Sequence, residues 1–170
     1  MPLGTDYARQ DCSLARSLEV VGERWTLLIL RDAFFGVRRF SDFQAHLDIS
    51  KAVLSTRLDG LVADGLLTRT STGHPEYEPT EDALGLWPVL YALGQWGDRR
   101  TTPGLPRRLY RHVGCGDLSP AGSCLSCGRS PAPGDIEVRP GPGSDPTRRD
   151  DPVSVALREP HRLLEPLAVR

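Results

Sequence analysis

Three cysteines and one histidine near the C-terminus have the spacing of metal ligands. The segments His-Val-Gly-Cys-Gly (112–116) and Cys-Leu-Ser-Cys-Gly (124–128) each place two ligand side chains on one turn, followed by a glycine. Three thiolates and one imidazole complete a tetrahedral Zn²⁺ site with no open position, which is the arrangement of structural zinc. We therefore predict a zinc-ribbon-like motif over residues 110–130. Its predicted ligands are His112, Cys115, Cys124 and Cys127.

Two alternatives to zinc stay open for these residues. Cys124 and Cys127 also have the spacing of a redox-active dithiol. The surrounding proline-rich sequence is poor in apolar residues, so disorder is the second alternative. A thiol oxidoreductase is expected to show a thioredoxin-like βαβ pattern, which is missing here, and we predict no enzymatic activity.

The fourth cysteine, Cys12, lies at the start of a predicted first helix. Asp11 is the predicted N-cap, which puts Cys12 at the first helical position. The helix dipole and Arg16, one turn later, favour the reactive thiolate, whereas Asp11 opposes it. Cys12 is therefore a candidate redox sensor, and the alternative is an inert, half-buried thiol.

Polar and cationic side chains between residues 38 and 74 belong to two predicted helices and a hairpin. The capping-box pattern Ser-Asp-Phe-Gln (41–44) predicts a short helix, and Ser50 is the predicted N-cap of the next one. Two extended stretches then flank a tip that contains Gly73 and Pro75, which predicts a β-hairpin. The second helix carries an apolar stripe made of Leu54, Leu58, Leu61 and Val62 and ends at Gly65. This order predicts a winged helix-turn-helix.

The opposite face of the second helix carries side chains that suit base edges and phosphates in a major groove. We predict double-stranded DNA as the partner, with three groups of contacts. The readers are Ser50, Lys51, Ser55, Thr56 and Arg57, the phosphate contacts are Arg38, Arg39 and Ser41, and the wing contacts are Arg69, Thr72 and His74. The alternative is a solvated face of a winged-helix protein-interaction module. Arg57 could instead form an ion pair with Asp59 or Asp64.

The elements around this motif complete a mainly α fold with a small β-hairpin wing. A first helix from Asp11, a second from Glu23 to Phe35 and a long helix capped by Thr80 and kinked at Pro88 are predicted to flank it. Residues 1–102 therefore form one predicted DNA-binding and dimerisation domain. Residues 103–170 form a Pro/Gly-rich extension, which outside the zinc-ribbon-like motif is predicted to be loop or partly disordered.

Composition adds few constraints. The formal net charge is −1, so the overall charge does not support a nucleic-acid partner. The support comes from the sequence pattern of the predicted motif and from segment 36–57, which is locally basic. The sequence has no run of about 18 apolar residues and no recognisable secretory signal, which predicts a cytoplasmic protein with no membrane partner. His46 and His161 are isolated histidines and are expected at the surface.

Seven segments within about the first 100 residues form one ordered pattern. They are 12–14, 22–32, 39–43, 49–58, 64–67, 75–77 and 90–97. Together they resemble the HxlR family of bacterial winged-helix regulators. Two features depart from the family pattern: Pro79 stands where leucine is usual, with the following glycine at Gly85, and the chain continues well beyond Thr101.

The resemblance implies a homodimeric transcription factor. It implies that the first helix and the helix after the wing pair two subunits, that the second helix of the motif enters the major groove, and that the wing reaches the minor groove or backbone. It also implies that a cysteine at the position of Cys12 senses oxidants or electrophiles in some members. We therefore predict a repressor of a pseudo-palindromic operator, switched by Cys12 modification or by a small ligand between the long helix and the first two helices.

Overall fold

The computed structural model describes residue 7, residues 9–70 and residues 73–169. Seven α-helices and five β-strands occur in this part of the chain. The helices are α1 (Ser13–Val21), α2 (Thr26–Phe34), α3 (Phe40–Leu47), α4 (Lys51–Ala63), α5 (Glu81–Leu84), α6 (Trp87–Thr101) and α7 (Pro152–Ala156). The strands are β1 (Leu67–Arg69), β2 (Tyr77–Pro79), β3 (Arg108–His112), β4 (Ile136–Pro140) and β5 (His161–Arg162). No helix among the described residues is both long and apolar enough to cross a membrane.

The predicted winged helix-turn-helix is confirmed in α3, α4 and the β1–β2 hairpin. Ser50 caps α4, since its Oγ accepts the N–H of Val53 at 3.4 Å. At the other end Gly65 adopts a left-handed conformation, with φ of 73°. The N–H groups of Gly65 and Leu66 return to the carbonyls of Val62 and Leu61, as in a Schellman motif. The leucine stripe of α4 is buried, as predicted.

The starts of α3 and α1 differ from the predicted caps. Arg39, not Ser41, is the N-cap of α3, because Arg39 is held extended by a β-bridge to Glu76. The Ser41 hydroxyl donates to the Asp42 carboxylate at 3.2 Å and caps no helix. In α1 the N-cap is Cys12 rather than Asp11, so Cys12 lies one position before the helix.

The long helix predicted after the wing is divided in two. Thr80 caps α5 as expected, its Oγ1 accepting the N–H of Ala83 at 3.3 Å. The chain then turns at Gly85, and α6 begins with Pro88 in its first turn. A proline at this place loses no intrahelical hydrogen bond, so Pro88 starts a helix and does not kink one.

The C-terminal extension contains a second antiparallel sheet, which the sequence did not predict. Its strand order is β3–β4–β5, with Tyr110 opposite Val138 in the register. Strand β4 lies in the part of the extension, outside the zinc-ribbon-like motif, that is predicted from sequence to be loop or partly disordered. Ile136 and Val138 are buried on either side of the half-exposed Glu137, which is the alternation of a strand with one covered face.

The extension shares one hydrophobic core with the winged helix. Near the end of the chain, the N–H of Leu164 donates to Phe34 O and the N–H of Leu167 donates to Gly36 O, at 2.8 and 2.9 Å. Gly36 has φ of 86°, and a Cβ placed there would lie 1.9 Å from Glu165 O. The C-terminal segment therefore crosses the end of α2 at backbone contact. The boundary predicted near residue 102 lies between α6 and β3 and stays a prediction.

Candidate DNA-binding surface and metal cluster

Helix α4 presents the predicted DNA readers on its exposed side. Lys51, Ser55 and Thr56 are exposed, while the leucines of the same helix face the core. The Thr56 hydroxyl donates to Ala52 O at 3.0 Å, and the Ser55 hydroxyl lies 3.5 Å from a carboxylate oxygen of Asp59. Ser50 is exposed at the N-cap, where its bond to Val53 orients the first turn. The structure thus brings these four residues to one surface.

Arg57 lies at the edge of this surface and is already paired. Its Nη2 lies 2.9 Å from the Glu23 carboxylate, and its side chain is 33% exposed. Arg57 therefore forms an ion pair, as the alternative proposed, but its partner is Glu23 and the named partners Asp59 and Asp64 were wrong. Glu23 lies in the turn before α2, 34 positions away, so no local pattern pointed to it.

The wing carries its own cationic group beside α4. Arg69 on β1 lies 3.2 Å from Asp59 of α4. His74 is exposed close to the tip, and Thr72 lies outside the described residues. Arg39 and Ser41 are exposed at the start of α3, with Arg39 Nε 3.6 Å from Glu76.

Arg38 is not available as a phosphate contact, which contradicts the prediction from sequence. Its side chain is 8% exposed. The guanidinium group donates to Ala33 O at 2.8 Å and to Leu164 O at 2.6 Å, and lies 3.8 Å from Glu78. Desolvation by burial lowers the pKa of Arg38, and Glu78 partly opposes this change. Arg38 joins α2 to the C-terminal segment.

The four predicted metal ligands come together in the extension. All four ligand atoms lie within 4.8 Å of one another. Cys124 Sγ is 3.5 Å from Cys115 Sγ, and Cys127 Sγ is 3.5 Å from His112 Nδ1. Tetrahedral zinc with thiolate and imidazole ligands requires ligand–ligand separations of about 3.6–3.8 Å, so the donor set fits this ion.

The glycines of the two turns that carry the predicted ligands, Gly116 and Gly128, have different structural roles. Gly128 has φ of 73° and donates to Cys124 O at 2.8 Å, which closes the second turn. Gly116 is buried against Ser126, where a Cβ would lie 2.1 Å from the serine oxygen. Hydrogen bonds from the backbone N–H groups of Cys127 and Ser126 lower the pKa of Cys124 to about 6. The second turn therefore favours the thiolate, the form that binds metals.

His46 is a residue whose role the sequence concealed. Its Nδ1 lies 2.8 Å from the carboxylate of Asp32, which is fully buried, and the imidazole is 11% exposed. The expectation of a partnerless surface histidine is therefore wrong. Asp32 also accepts two hydrogen bonds from Arg31, at 2.9 and 2.7 Å. A sequence signal was available in one respect, since Asp32 interrupts an otherwise apolar helix and a buried carboxylate needs a partner.

Cys12, the candidate redox sensor, is exposed at the N-cap of α1. Its carbonyl accepts the N–H of Arg16 at 3.1 Å, as the first bond of the helix. The thiol is thus open to a small reagent in this structure.

Comparison with known proteins agrees with this geometry. The HxlR-like helix-turn-helix family model matches residues 20–104. An uncharacterised HTH-type transcriptional regulator of Mycobacterium tuberculosis is 42% identical over 137 residues, covering 77% of this chain and 87% of that protein. YdeP of Bacillus subtilis, also an HTH-type transcriptional regulator, is 29% identical over 105 residues, covering 57% and 82%. The crystal structure of PA1607, a proposed transcription factor, matches with a TM-score of 0.53 and 39% identity over 56% of this chain and 69% of that one. The chain belongs to the HxlR-like helix-turn-helix family of transcriptional regulators.

Proposed function

We propose that this DNA-binding regulator is a repressor that binds a pseudo-palindromic operator as a homodimer. The observation that carries the proposal is the exposed face of α4, where Lys51, Ser55 and Thr56 point away from the buried leucines. Side chains of these types contact base edges and phosphates when a helix lies in the major groove. Membership of the family supports DNA binding over a protein-interaction module with the same fold.

The exposed apolar stripe on α6 supports the dimer. Val89, Leu93 and Trp96 follow one another at helical spacing and are 50, 48 and 51% exposed. Leu14 and Leu18 on α1 are also exposed. A contiguous apolar patch of this kind is covered favourably by the same patch of a second copy. A two-fold dimer would then place its α4 helices about 34–36 Å apart, one turn of DNA.

The test is binding of the reduced protein to the duplex upstream of its own gene, compared with a random duplex of equal length. We expect selective binding whose affinity falls steeply with salt. Lys51→Ala should weaken binding and lower the salt slope by about one phosphate contact. Arg129→Ala is the matched control, because Arg129 is exposed in the extension and far along the chain from α4. Weak binding that is equal for both duplexes contradicts the proposal.

For the cysteine–histidine cluster we infer a structural zinc ion. The support is the donor set of three sulfurs and one imidazole, together with two ligand–ligand separations of 3.5 Å, which are close to the edge length of a zinc tetrahedron. With four protein ligands the ion has no open position for chemistry. It would hold the turn after β3 against the turn at 124–128, where few apolar residues are buried.

For Cys12 we infer a regulatory thiol. The support is its exposure at the start of α1, the helix whose Leu14 and Leu18 belong to the proposed dimer surface. A peroxide would oxidise the thiol to a sulfenic acid and be reduced to water or an alcohol. Adding peroxide is expected to change the DNA affinity of the wild type and not that of Cys12→Ser. An equal response of the two proteins overturns this role.

A further inference from the structure

A strongly cationic cavity lies where the C-terminal extension meets the helix-turn-helix. It has a volume of about 540 Å³ and is bordered by α3, β3, α7 and the loop between β4 and α7. Five arginines and one histidine line it: Arg107, Arg108, Arg148, Arg149, Arg158 and His46. The one carboxylate in the lining is Asp145. None of these residues belongs to the DNA-reading face of α4 or to the cysteine–histidine cluster.

The structure orients these guanidinium groups, and the carboxylates near them balance only part of their charge. Arg107 donates to Thr101 Oγ1 at 2.7 Å, Arg108 to Leu157 O at 2.6 Å, and Arg158 to Pro146 O at 2.8 Å. Hydroxyl and carbonyl oxygens fix a guanidinium group without cancelling its charge. Arg149 is paired with Asp151 at 2.9 Å.

The lining carboxylate, Asp145, interacts electrostatically with Arg148 and can offset only one of the cavity's cations. Asp145 accepts the N–H and the hydroxyl of Thr147, at 2.9 and 2.7 Å. It is a single negative charge among five guanidinium groups. Burial also lowers the pKa of Arg108, so this cation is partly removed from water, and the nearby Asp32 carboxylate opposes only part of that change. An anion in the cavity would relieve that cost.

The shape and donor types indicate what such an anion is. Guanidinium groups bind phosphate and carboxylate oxygens through two parallel hydrogen bonds. The volume is in the range of small-ligand sites, roughly 300–1,000 Å³. These features fit a compact metabolite that carries two or more negative charges on phosphate or carboxylate groups.

Two residues that line the cavity also contact or belong to the helix-turn-helix motif. Arg149 Nη2 donates to Ala45 O of α3 at 2.9 Å, across 104 positions of sequence. His46, which lines the cavity, is tied to the buried Asp32 of α2. Helix α3 packs on α4 and α7, so a ligand that engages Arg149 or His46 acts on the element that supports the reading helix.

We propose that this cavity binds a small polyvalent anion, a phosphorylated or polycarboxylate metabolite, which changes DNA affinity by moving α3. The regulatory half of this proposal rests on the proposed function. The binding half does not, because it can be measured without DNA.

Calorimetric titration of the full chain with pyrophosphate and, separately, with citrate at constant ionic strength tests the binding half. We expect saturable binding of at least one anion, one per chain, and the stronger of the two identifies the phosphate or carboxylate class. Arg148→Ala should weaken this binding by about tenfold, as expected for a lost charged hydrogen bond. Arg129→Ala, an exposed arginine of the same extension outside the cavity, should leave it within about twofold. Absence of binding of both anions, or equal losses in the two variants, overturns the proposal.

Operator affinity measured with and without the preferred anion tests the regulatory half. We expect a change of at least about fivefold in the wild type and none in Arg148→Ala. If Arg148→Ala weakens DNA binding without any anion present, the cavity is a DNA-phosphate contact and the effector role is wrong. If the protein binds no specific DNA at all, the proposed function fails, while the calorimetry still decides whether the cavity is an anion site.

Discussion

Arg38 and Arg39 are neighbours in sequence with opposite surroundings. Arg38 is buried and bonded to carbonyl oxygens of two distant segments, whereas the Arg39 side chain is 65% exposed beside Glu76. A buried guanidinium group with such partners holds the fold, because removing it takes one hydrogen bond from Ala33 O and the side-chain donor from Leu164 O. An exposed guanidinium group such as that of Arg39 is accessible to a DNA phosphate.

This contrast gives a prediction for a matched pair of variants. Arg38→Ala is expected to lower the free energy of unfolding by about 2–4 kcal/mol, since it removes two buried charge-assisted hydrogen bonds that join α2 to the C-terminal segment. Arg39→Ala should change it by less than about 0.5 kcal/mol while weakening DNA binding. Urea unfolding of both variants measures the difference. Small and equal losses of stability would show that Arg38 is not a structural residue.

At the scale of elements, the junction between α2 and the C-terminal segment depends on one glycine. Gly36 combines a left-handed backbone with a contact to the Glu165 carbonyl that excludes a side chain. Gly60 in α4 has no heavy atom within 4 Å of the position its Cβ would take. The two glycines therefore provide a direct test of the junction.

We expect Gly36→Ala to destabilise the protein by about 2–4 kcal/mol, because the new methyl group overlaps backbone and the φ angle is unfavourable. Gly60→Ala should instead stabilise it by about 0.5–1 kcal/mol, the gain in helix propensity. Thermal and urea unfolding report both changes. If Gly36→Ala proves neutral, the C-terminal segment does not pack on α2 as described.

The contribution of the cysteine–histidine cluster to stability can also be tested. Purified protein is expected to contain about one zinc per chain, and its removal by a chelator should lower the Tm by at least about 5 °C. Cys124→Ser should lose the metal, and Cys12→Ser should retain it, because Cys12 is outside the cluster. A metal-free protein with an unchanged Tm would favour the free dithiol.

At the scale of the whole molecule, the exposed stripe on α6 is the proposed dimer surface. Replacing Leu93 with glutamate places a charge at the centre of the proposed dimer surface, and we expect a monomer with little DNA affinity. Leu125→Glu is the control, since Leu125 is 70% exposed in the extension. Light scattering after size exclusion measures the mass of each variant. A dimer that survives Leu93→Glu would place the interface elsewhere.

The sequence by itself determined the features that short segments encode. Ser50 and Gly65 set the ends of α4, the leucine spacing set its buried face, and the paired turns set the members of the cysteine–histidine cluster. Capping, helical periodicity and turn geometry act over about a dozen residues or fewer, so they can be recognised in the sequence before the tertiary structure is known. The family resemblance added the DNA partner, and it suggested the dimer that we propose.

Only the tertiary structure decided which charged residues are free and where the extension lies. Arg38 meets Leu164 across 126 positions, and Arg149 meets Ala45 across 104. The His46–Asp32 pair and the cationic cavity likewise join segments that have no common local pattern. An arginine has the same sequence signature whether it contacts DNA, ties two segments together or lines a cavity. Its role follows from the path of the whole chain, because burial and partners are fixed by contacts that form only when distant segments pack.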